Sequence, residues 1–142
     1  MPKVMDKDEI LKFCNAHPAC HLATAEGDQP RVRGMLMYRA DEKGIIFQTG
    51  DTKAVWDQIR KNPKVEICFN DFQANIQIRV IGRAEIVEDQ KLKEEIVAAR
   101  DFLKPLVKER GYGMLKVFRV TGCRASVWTF ADNFAPSPYI AL

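Results

Sequence analysis

Residues 30–69 read PRVRGMLMYRADEKGIIFQTGDTKAVWDQIRKNPKVEICF, and the changes of pattern within them decide the fold. Arg31 to Arg39 alternates with a period of two, Asp41 to Gly44 supplies a tight turn, and Ile45 to Thr49 returns as a second strand. Thr52 then stands as the expected N-cap of a helix that runs to Lys61 and is stopped by Asn62-Pro63. Val65 to Phe69 is again a strand. Hairpin, helix and strand thus follow one another within forty residues.

The same reading extends outward in both directions. Upstream, Asp6 and Glu9 form an expected capping box, and Ile10, Leu11, Phe13 and Cys14 recur at helical spacing until Pro18. From Ala19 the period falls to two, and Gly27-Asp28 turns the chain into the Arg31 strand. Downstream, Asn75 to Glu88 is long enough for an extended strand in which Gly82 marks a bulge that curls the sheet. Gln90 to Phe102 has the charges and apolar spacing of a surface helix, and Leu103 to Tyr112 reads as a helical turn or loop. Two final strands are expected at Leu115–Thr121 and Ala125–Phe130, separated by Gly122-Cys123, with one face buried and one wet. The tail from Ala131 to Leu142 should be extended. This order predicts an α+β protein, a small barrel of antiparallel strands with flanking helices, spanning residues 1–142 as one domain.

Composition agrees and narrows the classes. The chain has 142 residues, 46% hydrophobic and 29% charged, which suits one folded domain and excludes disordered or disulfide-scaffold classes. A net charge of +3 is far from the concentrated positive charge of a nucleic-acid binder, and Arg79, Arg83, Arg100 and Lys104 are dispersed as if to solvate surfaces. No apolar run reaches membrane-spanning length, and the start Met1-Pro2-Lys3-Val4-Met5-Asp6 lacks the apolar core of a signal peptide, so the cytoplasm is the expected compartment. Cys14, Cys20, Cys68 and Cys123 form no CxxC pair and read as free thiols. Cys14, His17, Cys20 and His21 lie close in sequence but lack the second ligand pair of a structural zinc site, so no metal is expected. There is no nucleophile elbow and no GxGxxG or Walker motif.

Chemistry concentrates in the opening stretch. Arg31 and Arg33 share one face of their strand, the next strand ends in Gln48-Thr49, and the helix starts at Thr52-Lys53. Cations and hydroxyls beside the free amides of a helix start suit a phosphomonoester. Taken singly, an arginine on such a strand is usually a solvated residue or salt-bridge partner and a threonine before a helix usually only a cap; their convergence is what points to a ligand.

The segments PRVRGM, EKGIIFQTGDTKAVWDQIRKNPKVEI and QIRVIGRAEIVED resemble the FMN-binding split β-barrel of the pyridoxamine phosphate oxidase superfamily, and within it the small nitroimidazole-resistance flavoproteins. The resemblance runs from about Glu9 to Phe130. It implies that Arg33 and Lys53 hold the FMN phosphate with hydroxyl bonds from Thr49 and Thr52; Arg31, on the same strand face as Arg33, joins them as an expected contact from the residue pattern. Backbone around Gly34, Met35 and Gln48 would lie along the isoalloxazine ring, which Gln77 approaches. Trp128 would contact or cover the flavin from a second subunit, because the family is usually a homodimer with FMN at the interface. A flat apolar ring with polar edges suits Met35, Met37, Gln77 and Trp128, although the methionines read equally as strand core and Trp128 as a core or dimer anchor.

The expected function is therefore an FMN-dependent oxidoreductase passing electrons, from a reduced nicotinamide nucleotide or another donor, to a small-molecule acceptor. A flavin-sequestering module without turnover is the alternative, as is a relative using haem or a deazaflavin. No catalytic acid or base stands out. Gly34 stands where many small relatives carry proline, which frees the backbone for a closer ring approach. The chain ends in FAPSPYIAL without the arginine and histidine that engage pyridoxal phosphate in true oxidases, so synthesis of that product is not expected.

Overall fold

The computed structural model describes residues 5–142, so the first residues of the chain start, Met1 to Val4, lie outside the described residues. Helix α1 (Lys7–Ala16) opens with the expected capping box between Asp6 and Glu9 and buries Ile10, Phe13 and Cys14. Strands β1 (Ala19–Glu26) and β2 (Gln29–Leu36) form a hairpin, followed by β3 (Arg39–Asp41) and β4 (Gly44–Gly50). Helix α2 (Ala54–Lys61), β5 (Lys64–Asp71), β6 (Ile76–Val87) and α3 (Gln90–Ala99) come next. Helix α4 (Lys104–Arg110), flanked by two short 3₁₀ turns, leads into β7 (Leu115–Thr129), and β8 (Ile140–Ala141) adds beside β7.

All strand pairings are antiparallel, in the order β2-β1-β5-β6-β7-β4-β3. The strands at the two ends of this order, β2 and β3, are consecutive in the chain. At their junction Met37 N–H donates to Pro18 C=O at 2.8 Å beside β1, and Tyr38 N–H donates to Ile46 C=O at 2.9 Å on β4. The chain thus leaves one sheet edge and pairs with the other, and the sheet closes on itself as a split β-barrel in an α+β protein. The expected single strand Arg31–Arg39 is accordingly broken at this handover. Asn15 of α1 guards β3 by exchanging amide hydrogen bonds with the backbone of Ala40 at 2.8 and 2.9 Å.

The barrel interior is packed by Leu22, Phe47, Ile67, Phe69, Ile78, Val80 and Phe118, with Phe47 stacked on Phe118 at 5.3 Å. A second apolar cluster lies outside β4 and β7, where Ile46, Leu115 and Val117 pack under Leu92, Ile96 and Val97 of α3. Leu115, Val117 and Phe118 near the start of β7 are therefore buried on both faces, correcting the expectation of one wet face there, while Arg119 and Thr121 farther along stay partly exposed.

The two expected final strands are also one. Gly122 takes φ +62 inside β7, a left-handed conformation glycine adopts freely, and pairing continues past it. Opposite, the register of β6 shifts between Ile81 and Arg83, so Gly82 sits in the expected bulge. A Cβ there would lie 2.6 Å from Val120 Cγ1. The helix α3 stops three residues before the expected end, and the segment read as a helical turn or loop is helical, containing α4, while the tail expected to be extended adds β8. No helix of the described residues is long and apolar enough to cross a membrane.

Candidate functional site

A cleft of about 660 Å3 opens beside the barrel between β2, the end of β4, the start of α2 and the segment carrying α4. Arg33, Gly34, Met35, Gln48, Thr49, Thr52 and Lys53 all line it. Local chain geometry explains the convergence. The β2 strand brings Arg33 to Met35 to the mouth, and β4 ends at Gly50 so that the turn after it delivers Thr52 and Lys53 to the same place.

Helix α2 begins one residue later than expected. Its N-cap is Lys53, in extended conformation and with no side-chain cap hydrogen bond, so Thr52 is not the cap. The start of a helix whose side chains leave its amides uncapped is a place for an anion. Below it the helix buries Val55, Trp56, Gln58 and Ile59, and Asn62 leaves helical geometry because Pro63 follows.

Arg33 points toward α2. Its Nη1 donates to Thr24 Oγ1 at 2.8 Å and Leu22 C=O at 3.2 Å, and its Nη2 donates to Gln58 Oε1. Thr24 also donates to Gln58 Oε1 at 2.7 Å, and Gln58 donates to Glu26 at 3.3 Å. Gln58 and Thr24 are buried polar groups satisfied by this network. No carboxylate pairs with Arg33 or Lys53 among the described residues. Burial, and then the neighbouring Arg31 charge, pull the Arg33 guanidinium below its usual value, though an arginine stays charged. The cleft thus holds two cations that no acid among the described residues neutralises.

Arg31 lies outside the cleft lining and pairs with Glu26 at 3.1 Å, both half exposed. That hydrogen bond, followed by one from Gln58, holds the Glu26 carboxyl below its usual range. Gln77 and Trp128 face each other across the β6–β7 ladder, away from the cleft in this chain. Gln77 donates to Asn70 at 3.0 Å and Trp128 Nε1 donates to Asn133 at 2.9 Å. Met37 is buried in the core. The cysteines and histidines grouped near the chain start do not converge: Cys14 and Cys20 are buried, His21 is exposed, and His17 pairs with Asp71 at 3.3 Å.

The opposite wall comes from the α4 segment. Phe102 and Leu106, 56% and 45% exposed, face the cleft with Met114 and Leu115, and Arg110 stands at its rim tied to Asp51 at 3.2 Å. Arg100, expected to solvate a surface, is instead half buried behind Gln48. Its Nη1 donates to Gln48 Oε1 and to Leu36 C=O at 3.0 Å, and its Nη2 to Met37 C=O at 2.6 Å. Both Arg100 and Gln58 carry one sequence trace: each is a polar residue on an apolar stripe, Arg100 four positions after Ile96 and Gln58 three after Val55.

Residues 6–128 match the family model described as Pyridoxamine 5'-phosphate oxidase. Among curated proteins, the pyridoxine/pyridoxamine 5'-phosphate oxidase of Dichelobacter nodosus is 32% identical over 102 residues, covering 58% of this chain and 48% of the relative. The chain therefore spans about half the length of that protein. A solved NimC/NimA family protein from Clostridium acetobutylicum superposes with a TM-score of 0.77 at 26% identity, covering 95% of this chain and 92% of its own. A pyridoxamine 5'-phosphate oxidase-related, FMN binding protein from Nostoc punctiforme shares the fold, with a TM-score of 0.68 at 14% identity over 100% and 99% of the two chains.

Proposed function

The chain belongs to the pyridoxamine 5'-phosphate oxidase family, and from that premise we propose that it binds FMN in the cleft beside the barrel and works as a flavin-dependent oxidoreductase on a small-molecule acceptor. The observation that carries this reading is the gathering of Arg33, Thr49, Thr52 and Lys53 in one cleft whose remaining lining is largely apolar.

Each part of the cleft has a use in that role. Lys53 and Arg33, lacking acidic partners, neutralise a phosphate, and the hydroxyls of Thr49 and Thr52 with the uncapped start of α2 donate to its oxygens. Gly34 offers bare backbone to a flat ring, since a Cβ there would meet nothing within 4 Å. Phe102 and Leu106 give an apolar wall that sheds exposed surface when a ring covers it. Bound FMN supplies hydride and electron transfer, while the protein positions it and excludes water. The Nostoc neighbour's description as FMN binding supports the same cofactor.

The working unit in this proposal is a homodimer. Gln77 and Trp128 lie away from the cleft of their own chain, so they serve the ring only from a partner subunit. Val32 and Leu36 of β2 are 69% and 41% exposed beside the cleft and supply apolar surface for that contact.

Purified protein should titrate with FMN to one equivalent per chain, and a colourless protein that ignores added FMN sinks the reading. Rapid mixing with reduced nicotinamide nucleotides then separates oxidoreductase from carrier, because a flavin that no donor reduces belongs to a sequestering module.

A further inference from the structure

Gln48 reaches the cleft from β4 with its amide orientation settled by what stands behind it. A guanidinium carries donors only, so the Gln48 atom facing Arg100 Nη1 is the carbonyl Oε1. Arg100 is itself held: its terminal nitrogens also donate to the backbone carbonyls of Leu36 and Met37, and its charge lies 5.5 Å over the Tyr38 ring. These acceptors sit where β2 hands over to β3, in the backbone that closes the barrel. The other end of Gln48, Nε2, makes no hydrogen bond among the described residues, and Gln48 lines the cleft.

We infer that Arg100 is a positioning residue that turns Gln48 into a donor-only edge of the cleft, selecting a flat ring that presents a carbonyl oxygen or an unprotonated ring nitrogen there. The inference rests on the flavin reading of the cleft. The carbonyls and unprotonated nitrogens of an isoalloxazine satisfy this edge, whereas its imide N–H does not. The fixed positive charge behind the amide also polarises its N–H groups and strengthens them as donors. Without Arg100 the amide is free to rotate, and half of its orientations would offer an oxygen to an oxygen.

A double-substitution cycle on FMN affinity, read by flavin fluorescence quenching on the full chain, tests this. Gln48→Met and Arg100→Met should each weaken FMN about tenfold, and the double variant should also be about tenfold weaker, because Arg100 acts through Gln48. Arg100→Lys, which keeps a charged donor, should recover part of the loss. Two effects that multiply to about a hundredfold would mean that Arg100 only staples the β2–β3 corner, overturning the inference while the flavin site stands. Should Arg100→Met fail to fold, Gln48→Glu decides: replacing the donor by an acceptor that pairs with Arg100 should weaken FMN more than Gln48→Met, and equal or tighter binding overturns the inference. A wild-type protein that takes up no FMN overturns both readings.

Discussion

In the proposed flavin site, Arg33 and Lys53 would owe their value as anion ligands to what they lack. A cation paired with a carboxylate gains little from a second anion, but these two face the cleft without an acidic partner among the described residues. Hydrogen bonds to charged groups contribute about 1.5–3 kcal/mol each. Arg33→Met and Lys53→Met should therefore each weaken FMN by roughly ten- to a hundredfold in titration, while riboflavin, which has no phosphate, should bind all variants alike. A phosphomonoester takes its second charge near pH ~6, so FMN affinity should rise from pH 5 to 7 in the wild type and flatten in the double variant. The parts of this site carried by neighbours in sequence are legible there, since period two aims Arg33 and the helix start brings Thr52 and Lys53. Arg100 and Gln58 are not, because their roles exist only where α3 meets β4 and where α2 meets β1 and β2; in one dimension they are a charge and an amide on apolar stripes.

Among the elements, β6 and β7 show both what a local pattern reveals and where it fails. Gly82 marks its bulge correctly, but Gly122-Cys123 looks like a turn and is a kink that the opposing bulge absorbs, so one long strand reads as two. Gly82→Ala would press a Cβ to 2.6 Å from Val120 Cγ1 and 2.8 Å from Thr121 C=O, an overpacking expected to cost about 2 kcal/mol in urea unfolding. An unchanged midpoint would show that the bulge relaxes without strain. The start of α2 gives a second case. A capping threonine replaced by alanine costs about 1 kcal/mol, but the N-cap here is Lys53. Thr52→Ala should then leave stability within about 0.5 kcal/mol, as for a surface site, and instead weaken FMN; the opposite pattern would restore Thr52 as a cap.

At the scale of the whole molecule, two features join parts remote in sequence. The first is a set of thiols from α1, β1 and β7 in the closed barrel: burial pushes Cys14 and Cys20 up to about 12 and Cys123 up to about 11, from 9.0 when free. Below pH 9 both folded and unfolded chains keep these protons and stability does not depend on them. Between 9 and about 12 for Cys14 and Cys20, and between 9 and about 11 for Cys123, the unfolded chain releases protons that the fold retains, so stability falls by about 1.4 kcal/mol per pH unit for each thiol within its own window. Cys14→Ala should lower that slope by about 1.4 kcal/mol per pH unit in urea melts across this range, leaving the share of Cys20 and Cys123, whatever it does to stability at pH 7. The second feature is the placement of Gln77 and Trp128 at one end of the β6–β7 ladder, while Gln48 pairs with Val117 near the other end of β7. A single chain holds these ends far apart along one strand, and in the proposed homodimer two chains packed through the apolar face around Val32 and Leu36 would bring them to one ring. Complementation isolates this. A variant carrying Arg33→Met and Lys53→Met, and another carrying Gln77→Ala and Trp128→Ala, should each bind FMN poorly alone. Refolded together, they should form mixed dimers in which one of the two sites has every group intact, returning tight binding to about half the sites of each mixed dimer. If mixing restores nothing although mixed dimers are seen by mass, Gln77 and Trp128 do not reach the flavin across the interface, and the ring is held by one subunit.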